Sequence, residues 1–301
     1  MSKIILVFLV LAIGGFVWLG QSDKNSDLVP NEYDIYKDIL YEYREGFDDN
    51  LTSLDIYTSP DFTDKPVMVM LHGGGWQRGD KSNSGVVRPK AEYFINKGFV
   101  FISVNYRLTK DSRVNHPDNV EDVAAAISWV YSNISQYGGK GSQLYLIGHS
   151  AGAHLASLVS TDHRYLQNEG IDPNIIKGVI ALDTGLFDLV SAYTGGPATR
   201  NLIELAFTKT DAASLQDGSP IAHIELGKSI PPFLILFAAE RGEKGSPGQS
   251  QTFYEKLIAN GYSANIKGVL SKAHSDMNKD VGKPNDPLTV EIELFLTKIH
   301  P

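Results

Sequence analysis

The chain has 301 residues, 35 acidic against 27 Lys and Arg, a formal net charge of -8 and 42% hydrophobic residues. That length fits one globular domain with a sizeable core, and the acidic balance without a basic stripe argues against a nucleic-acid partner. Cysteine is absent, which excludes disulfides, thiol chemistry and a lipidated cysteine. No metal-spaced Cys/His cluster and no dinucleotide glycine fingerprint occurs, so neither a metal nor an organic cofactor is expected.

At the N-terminus Lys3 precedes an uncharged apolar run from Ile4 to Gly20. A short positive region before a long hydrophobic one is the pattern of a secretory signal, and the run is also near the lower limit for spanning a bilayer. No small-x-small cleavage site is evident, since Trp18 and Leu19 precede Gly20. Residues 1–21 are therefore read as a removed signal peptide or an uncleaved membrane anchor. Either way the positive flank predicts a protein outside the cytoplasm, periplasmic or extracellular. Residues 22–36 read as a polar linker and residues 37–301 as the globular domain.

Eight strand-like runs follow: Ile39–Tyr43, Ser53–Thr58, Val67–Leu71, Phe99–Asn105, Gln143–Ile147, Ile175–Leu182, Phe233–Ala238 and Ala264–Leu270. Between and after them lie helical runs at Pro89–Lys97, Asp118–Ser132, Ala151–Ser160, Gln249–Asn260 and Pro287–Lys298. Such alternation predicts an α/β fold, a mostly parallel sheet with helices on both faces, with active residues at the carboxyl ends of the strands. Thr184–Ile230 interrupts the alternation; rich in small residues, it predicts a cap over the site.

Directly after the third strand comes His72-Gly73-Gly74-Gly75-Trp76. Acyl transfer through a serine creates a tetrahedral oxyanion that needs backbone N–H donors already aimed at it. A glycine run lets the backbone reach a substrate unobstructed, so Gly73, Gly74 and Gly75 are oxyanion-hole candidates. Ala151 N–H is their partner. Trp76 and His149 are candidates for the substrate pocket.

Gly148-His149-Ser150-Ala151-Gly152 joins the β-prone Gln143–Ile147 to a helical run. A G-x-S-x-G at a strand–helix junction predicts a nucleophile elbow, with Ser150 exposed on a strained turn. The base should follow a late strand, which selects His274 over the other histidines. The orienting acid is expected after Phe233–Ala238, where the loop reads Ala239-Glu240-Arg241-Gly242-Glu243-Lys244 and contains no aspartate. Glu240 is the first choice and Glu243 the second; Asp183 and Asp188, after the preceding strand, are the next places to look.

Several stretches resemble the α/β-hydrolase fold from about Ile39 to the C-terminus. They are HGGGWQRGDK (72–81), VNYRL (104–108), HPDNVEDVAAAISWV (116–130), GHSAGAHLASLVSTD (148–162), GVIALD (178–183), the helix from Gln249, and the late His274. They are most similar to its carboxylesterase branch with an HGGGW motif, which includes feruloyl-esterase-like, kynurenine-formamidase-like and hormone-sensitive-lipase-like enzymes. The resemblance implies an eight-stranded sheet with a cap insertion and a cofactor-free hydrolysis of small short-acyl or aryl esters. An N-formyl amide hydrolase, or a catalytically weak binding module, are the alternatives.

Overall fold

The structure is a computed structural model and describes residues 33–241 and 246–300. The apolar run 4–20 and Glu243 lie outside the described residues. Among these residues eight strands form one sheet: β1 (Asp34–Leu40), β2 (Ser53–Thr58), β3 (Lys65–Leu71), β4 (Val100–Val104), β5 (Gly139–His149), β6 (Ile176–Leu182), β7 (Phe233–Ala238) and β8 (Ala264–Val269). Their order is β1-β2-β4-β3-β5-β6-β7-β8. β2 is antiparallel to β1 and β4, and the other pairs are parallel.

The inner strands β2 to β7 are buried on both faces, and side chains alternate between them with the two-residue period of a strand. Val67, Val69, Leu71, Leu144 and Leu146 face the side covered by helices α2 (Asp118–Asn133) and α3 (Ala151–Thr161) and by helix Ser246–Ala259. Met68, Met70, Tyr145 and Ile147 face helices α1 (Ser84–Asn96) and Pro287–Ile299. Each such aliphatic contributes about 1.5–3 kcal/mol on burial.

Several boundaries differ from the sequence expectation by a few residues, β5 for instance starting at Gly139 instead of Gln143, and two differences matter for the fold. β1 begins at Asp34 instead of Ile39 and is exposed along most of its length. An edge strand without a buried face carries no apolar alternation to read. α1 begins at Ser84, so Pro89 sits inside the helix instead of opening it. The N–H that proline lacks costs one helical bond, the one Gly85 O would have accepted in this turn.

The chain leaves β3 for β4 on one side and later returns to β5 on the other. The carboxyl ends of β3 and β5 therefore flank the point where the winding reverses, the place where open α/β sheets hold ligands. Both glycine motifs emerge there. Between β6 and β7, the short helices Leu189–Thr194, Pro197–Ala206 and Ala212–Asp217 form the cap segment. None of the described helices is long and apolar enough to cross a membrane.

Candidate active site

β5 ends at His149, and Ser150 turns the chain into α3 with φ 55° and ψ -120°. A side-chain-bearing residue held at positive φ costs about 1–2 kcal/mol, and the surrounding packing must enforce it. Two glycines let that packing close. A Cβ on Gly148 would lie 2.3 Å from Gly152 O, and one on Gly152 would lie 2.2 Å from Leu71 O. Ser150 N–H donates to Leu182 O at 2.9 Å, tying the turn to β6. Ala151 is the first residue of α3, where N–H groups have no acceptor within the helix.

The 72–79 loop faces this turn. Gly74 and Gly75 have φ of 120° and 64°. Among the described residues, no acceptor is bonded to either N–H. Two sequence stretches hold the loop's ends. Tyr106 Oη donates to His72 O at 2.8 Å, and its ring stacks on the His72 ring. Lys81 N–H donates to Asn105 Oδ1 at 2.6 Å. Burial alone would raise the Asp80 carboxyl, but hydrogen bonds from Ser82, Asn50 and Asn105 outweigh it and hold it well below the usual carboxylate range. Trp76 does not line the pocket as expected. It is 1% exposed, edge-on to His154 and Phe207, and so anchors the loop from beneath.

His274 follows β8. Its Nδ1 lies 2.5 Å from Asp183 Oδ2, and its carbonyl accepts from His149 Nε2 at 2.9 Å. Burial, then the neighbouring His274, pushes His149 down to about 3, so its ring is a neutral Nε2–H donor. Asp183 directly follows β6, with φ 46°. It is fixed by its own N–H donating to Leu236 O at 2.7 Å and by Ala238 N–H donating to Oδ1 at 3.1 Å. Burial alone would raise its carboxyl. Hydrogen bonds from His274, Arg241 and Ala238, with the Arg241 charge, bring it to about 2.

Among the described residues, the carboxylate that meets His274 is Asp183 and not Glu240. Glu240 accepts instead from Ser271 N–H at 3.3 Å and makes no hydrogen bond to His274. Asp188 caps helix Leu189–Thr194 through Ser191 N–H. The carboxylate beside His274 comes from the end of β6, one strand earlier than expected. Arg241, to which the loop sequence assigns no role, has its Nη1 2.6 Å from Asp183 Oδ2 and 2.7 Å from His274 Nδ1.

A cavity of about 790 Å³ brings these elements together, a size suited to a small-molecule ligand. Ser150, His149 and His274 line it with Gly73, Gly74 and Gly75, and Leu202 closes it from the cap. Such an arrangement offers a hydroxyl, an imidazole backed by a carboxylate, and unobstructed backbone donors. These are the parts needed for acyl transfer.

The family model described as BD-FAE matches residues 54–257. Probable carboxylic ester hydrolase LipM of Mycobacterium tuberculosis is 28% identical over 221 residues, 67% of this chain and 48% of the relative. A kynurenine formamidase of Salmo salar is 34% identical over 209 residues, 68% of this chain and 64% of the relative. The chain thus spans about half the length of the former and less than two thirds of the latter. Among solved structures, Esterase B of Lactobacillus rhamnosis has the same fold, with a TM-score of 0.70 at 20% identity over 90% of this chain and 85% of that one.

Proposed function

The chain belongs to the BD-FAE family, and on that premise we propose that it is a serine hydrolase cleaving small carboxylic esters through Ser150, His274 and Asp183. The observation that carries this reading is the shared cavity: Ser150 on its strained turn and His274 both line it, with Asp183 2.5 Å behind the imidazole.

Ser150 Oγ attacks the ester carbonyl while His274 Nε2 takes its proton. Asp183 holds Nδ1–H and stabilises the resulting imidazolium. The developing oxyanion is met by N–H groups of the 73–75 run and of Ala151, where loss of one such donor typically costs about 10²–10³ in kcat. The imidazolium protonates the departing alcohol and leaves an acyl-Ser150 ester. Water, deprotonated by His274, then releases the acid and restores the hydroxyl. Export or anchoring by residues 4–20, outside the cytoplasm, is part of the same proposal.

A panel of aryl acetates and butyrates beside an N-formyl arylamine tests it. Ester turnover that disappears in Ser150→Ala is the expected result. Formamide turnover without ester turnover would favour the formamidase alternative, for which the Salmo salar relative speaks. Turnover of neither would leave a binding module.

A further inference from the structure

The loop after β7, the expected source of the acid, delivers a cation. Arg241 Nη1 donates to Asp183 Oδ2 at 2.6 Å and to Ser246 Oγ at 3.3 Å, and it lies 2.7 Å from His274 Nδ1, where two N–H groups face one another when Nδ1 carries the proton held by Asp183. The same carboxylate oxygen is shared by the imidazole and the guanidinium. The Asp183 side chain is wholly buried, whereas those of Arg241 and His274 are each 40% exposed. Building on the proposed Ser150–His274–Asp183 site, we propose that Arg241 is a positioning residue that locks the Asp183 carboxylate toward His274 and sets the lower end of the working pH range.

Two physical effects act in the same direction. A guanidinium against the ring disfavours a second positive charge there, and it draws on the carboxylate that would otherwise stabilise that charge. Free imidazole therefore persists into more acidic solution than it would without Arg241. Two like unit charges about 4 Å apart repel by about 1 kcal/mol in bulk water and about 4 kcal/mol at an effective dielectric of about 20, so at this half-exposed site a shift of about one pH unit or more follows.

Other groups face His274 from the neighbouring elements. His149 is neutral, Glu240 accepts from Ser271 N–H, and Asp276 accepts from Ala273 N–H. Arg78, Asp80 and Lys279 line the same cavity, and Lys90 acts on His149 from α1. All of them are common to the wild type and the Arg241 variants, so a shift between variants reports Arg241.

The test is the pH profile of kcat/KM for a neutral aryl ester, measured on the full chain as wild type, Arg241→Met and Arg241→Lys. The midpoint of the acid limb should rise by about one pH unit in Arg241→Met and by less in Arg241→Lys, whatever the plateau height. A purely structural role would lower the plateau and leave the midpoint in place. That result, or a downward shift, overturns the proposal. Should Arg241→Met fail to fold, the Arg241→Lys arm decides. If the wild type cleaves no ester, the ester reading fails by itself, and an NMR titration of the His274 ring in wild type and variants still decides the role of Arg241.

Discussion

Replacing Asp183 by Asn separates the two candidate acids most sharply. Asparagine has nearly the same shape and tolerates the φ of 46° that Asp183 adopts, so the backbone at the end of β6 should hold. What changes is charge and hydrogen bonding. Nδ1 of His274 loses an anionic acceptor at 2.5 Å, and the Arg241 guanidinium is left beside the ring without its counter-ion. Orientation of the imidazole and stabilisation of its cation are lost together, which by the behaviour of such triads costs about 10³–10⁴ in kcat/KM, about 4–5.5 kcal/mol. Glu240→Gln disturbs only one 3.3 Å hydrogen bond to Ser271 N–H, and less than about a threefold effect is expected. Initial rates on an aryl butyrate near pH 8 measure both, with circular dichroism checking the fold. An Asp183→Asn enzyme keeping more than about a tenth of wild-type kcat/KM, or a larger loss in Glu240→Gln, would refute the assignment of the acid.

Ser150→Ala should lose ester turnover and labelling by a serine-directed phosphonate while unfolding at the wild-type temperature; a labelled variant would move the nucleophile elsewhere. Gly152→Ala forces a Cβ to 2.2 Å from Leu71 O and 2.5 Å from His72 O, both backbone atoms that cannot step aside. A loss of about 2–3 kcal/mol in urea unfolding is expected, and an unchanged midpoint would contradict the described packing of the elbow. Asp183 also couples stability to pH. Its folded carboxyl stands at about 2 against the usual 3.8, so the unfolded chain takes up the proton first as pH falls. The stabilisation, about 2 kcal/mol, is therefore complete above about pH 4 and is lost as pH drops toward 2. The stability difference between wild type and Asp183→Asn should shrink by about that amount between roughly pH 5 and pH 2, and a constant difference would show that the carboxyl titrates normally.

Much of the architecture was legible from local pattern. The buried strands read as apolar runs because both faces of the sheet are covered, and the exposed edge strand β1 was misplaced because it has no covered face. The Gly148–Gly152 turn and the 73–75 run were legible because each imposes a local backbone demand, a positive φ or an approach too close for a Cβ. Ser150 and His274 could be singled out because each follows a strand, and both line one cavity in the structure. Trp76 shows the limit of this reading. An aromatic beside the glycine run reads as pocket wall, and only packing against His154 and Phe207 reveals it as a buried anchor.

The carboxylate behind His274 was a tertiary matter. Asp183, Glu240 and Asp188 all follow strands or begin helices near the same edge, and nothing in their spacing separates them. The choice is made by the pairing of β6 with β7, which ties Asp183 N–H to Leu236 O and turns Oδ1 toward Ala238 N–H, leaving Oδ2 for the imidazole. Arg241 was hidden for the same reason. A lone arginine in a loop carries no periodicity and no motif, and its meaning lies in the two partners that three different strand ends bring within 2.7 Å of one another. Chain-local physics determined where the backbone bends and which faces are buried; which charges meet depended on strand register, a relation between residues far apart in sequence that local pattern does not encode.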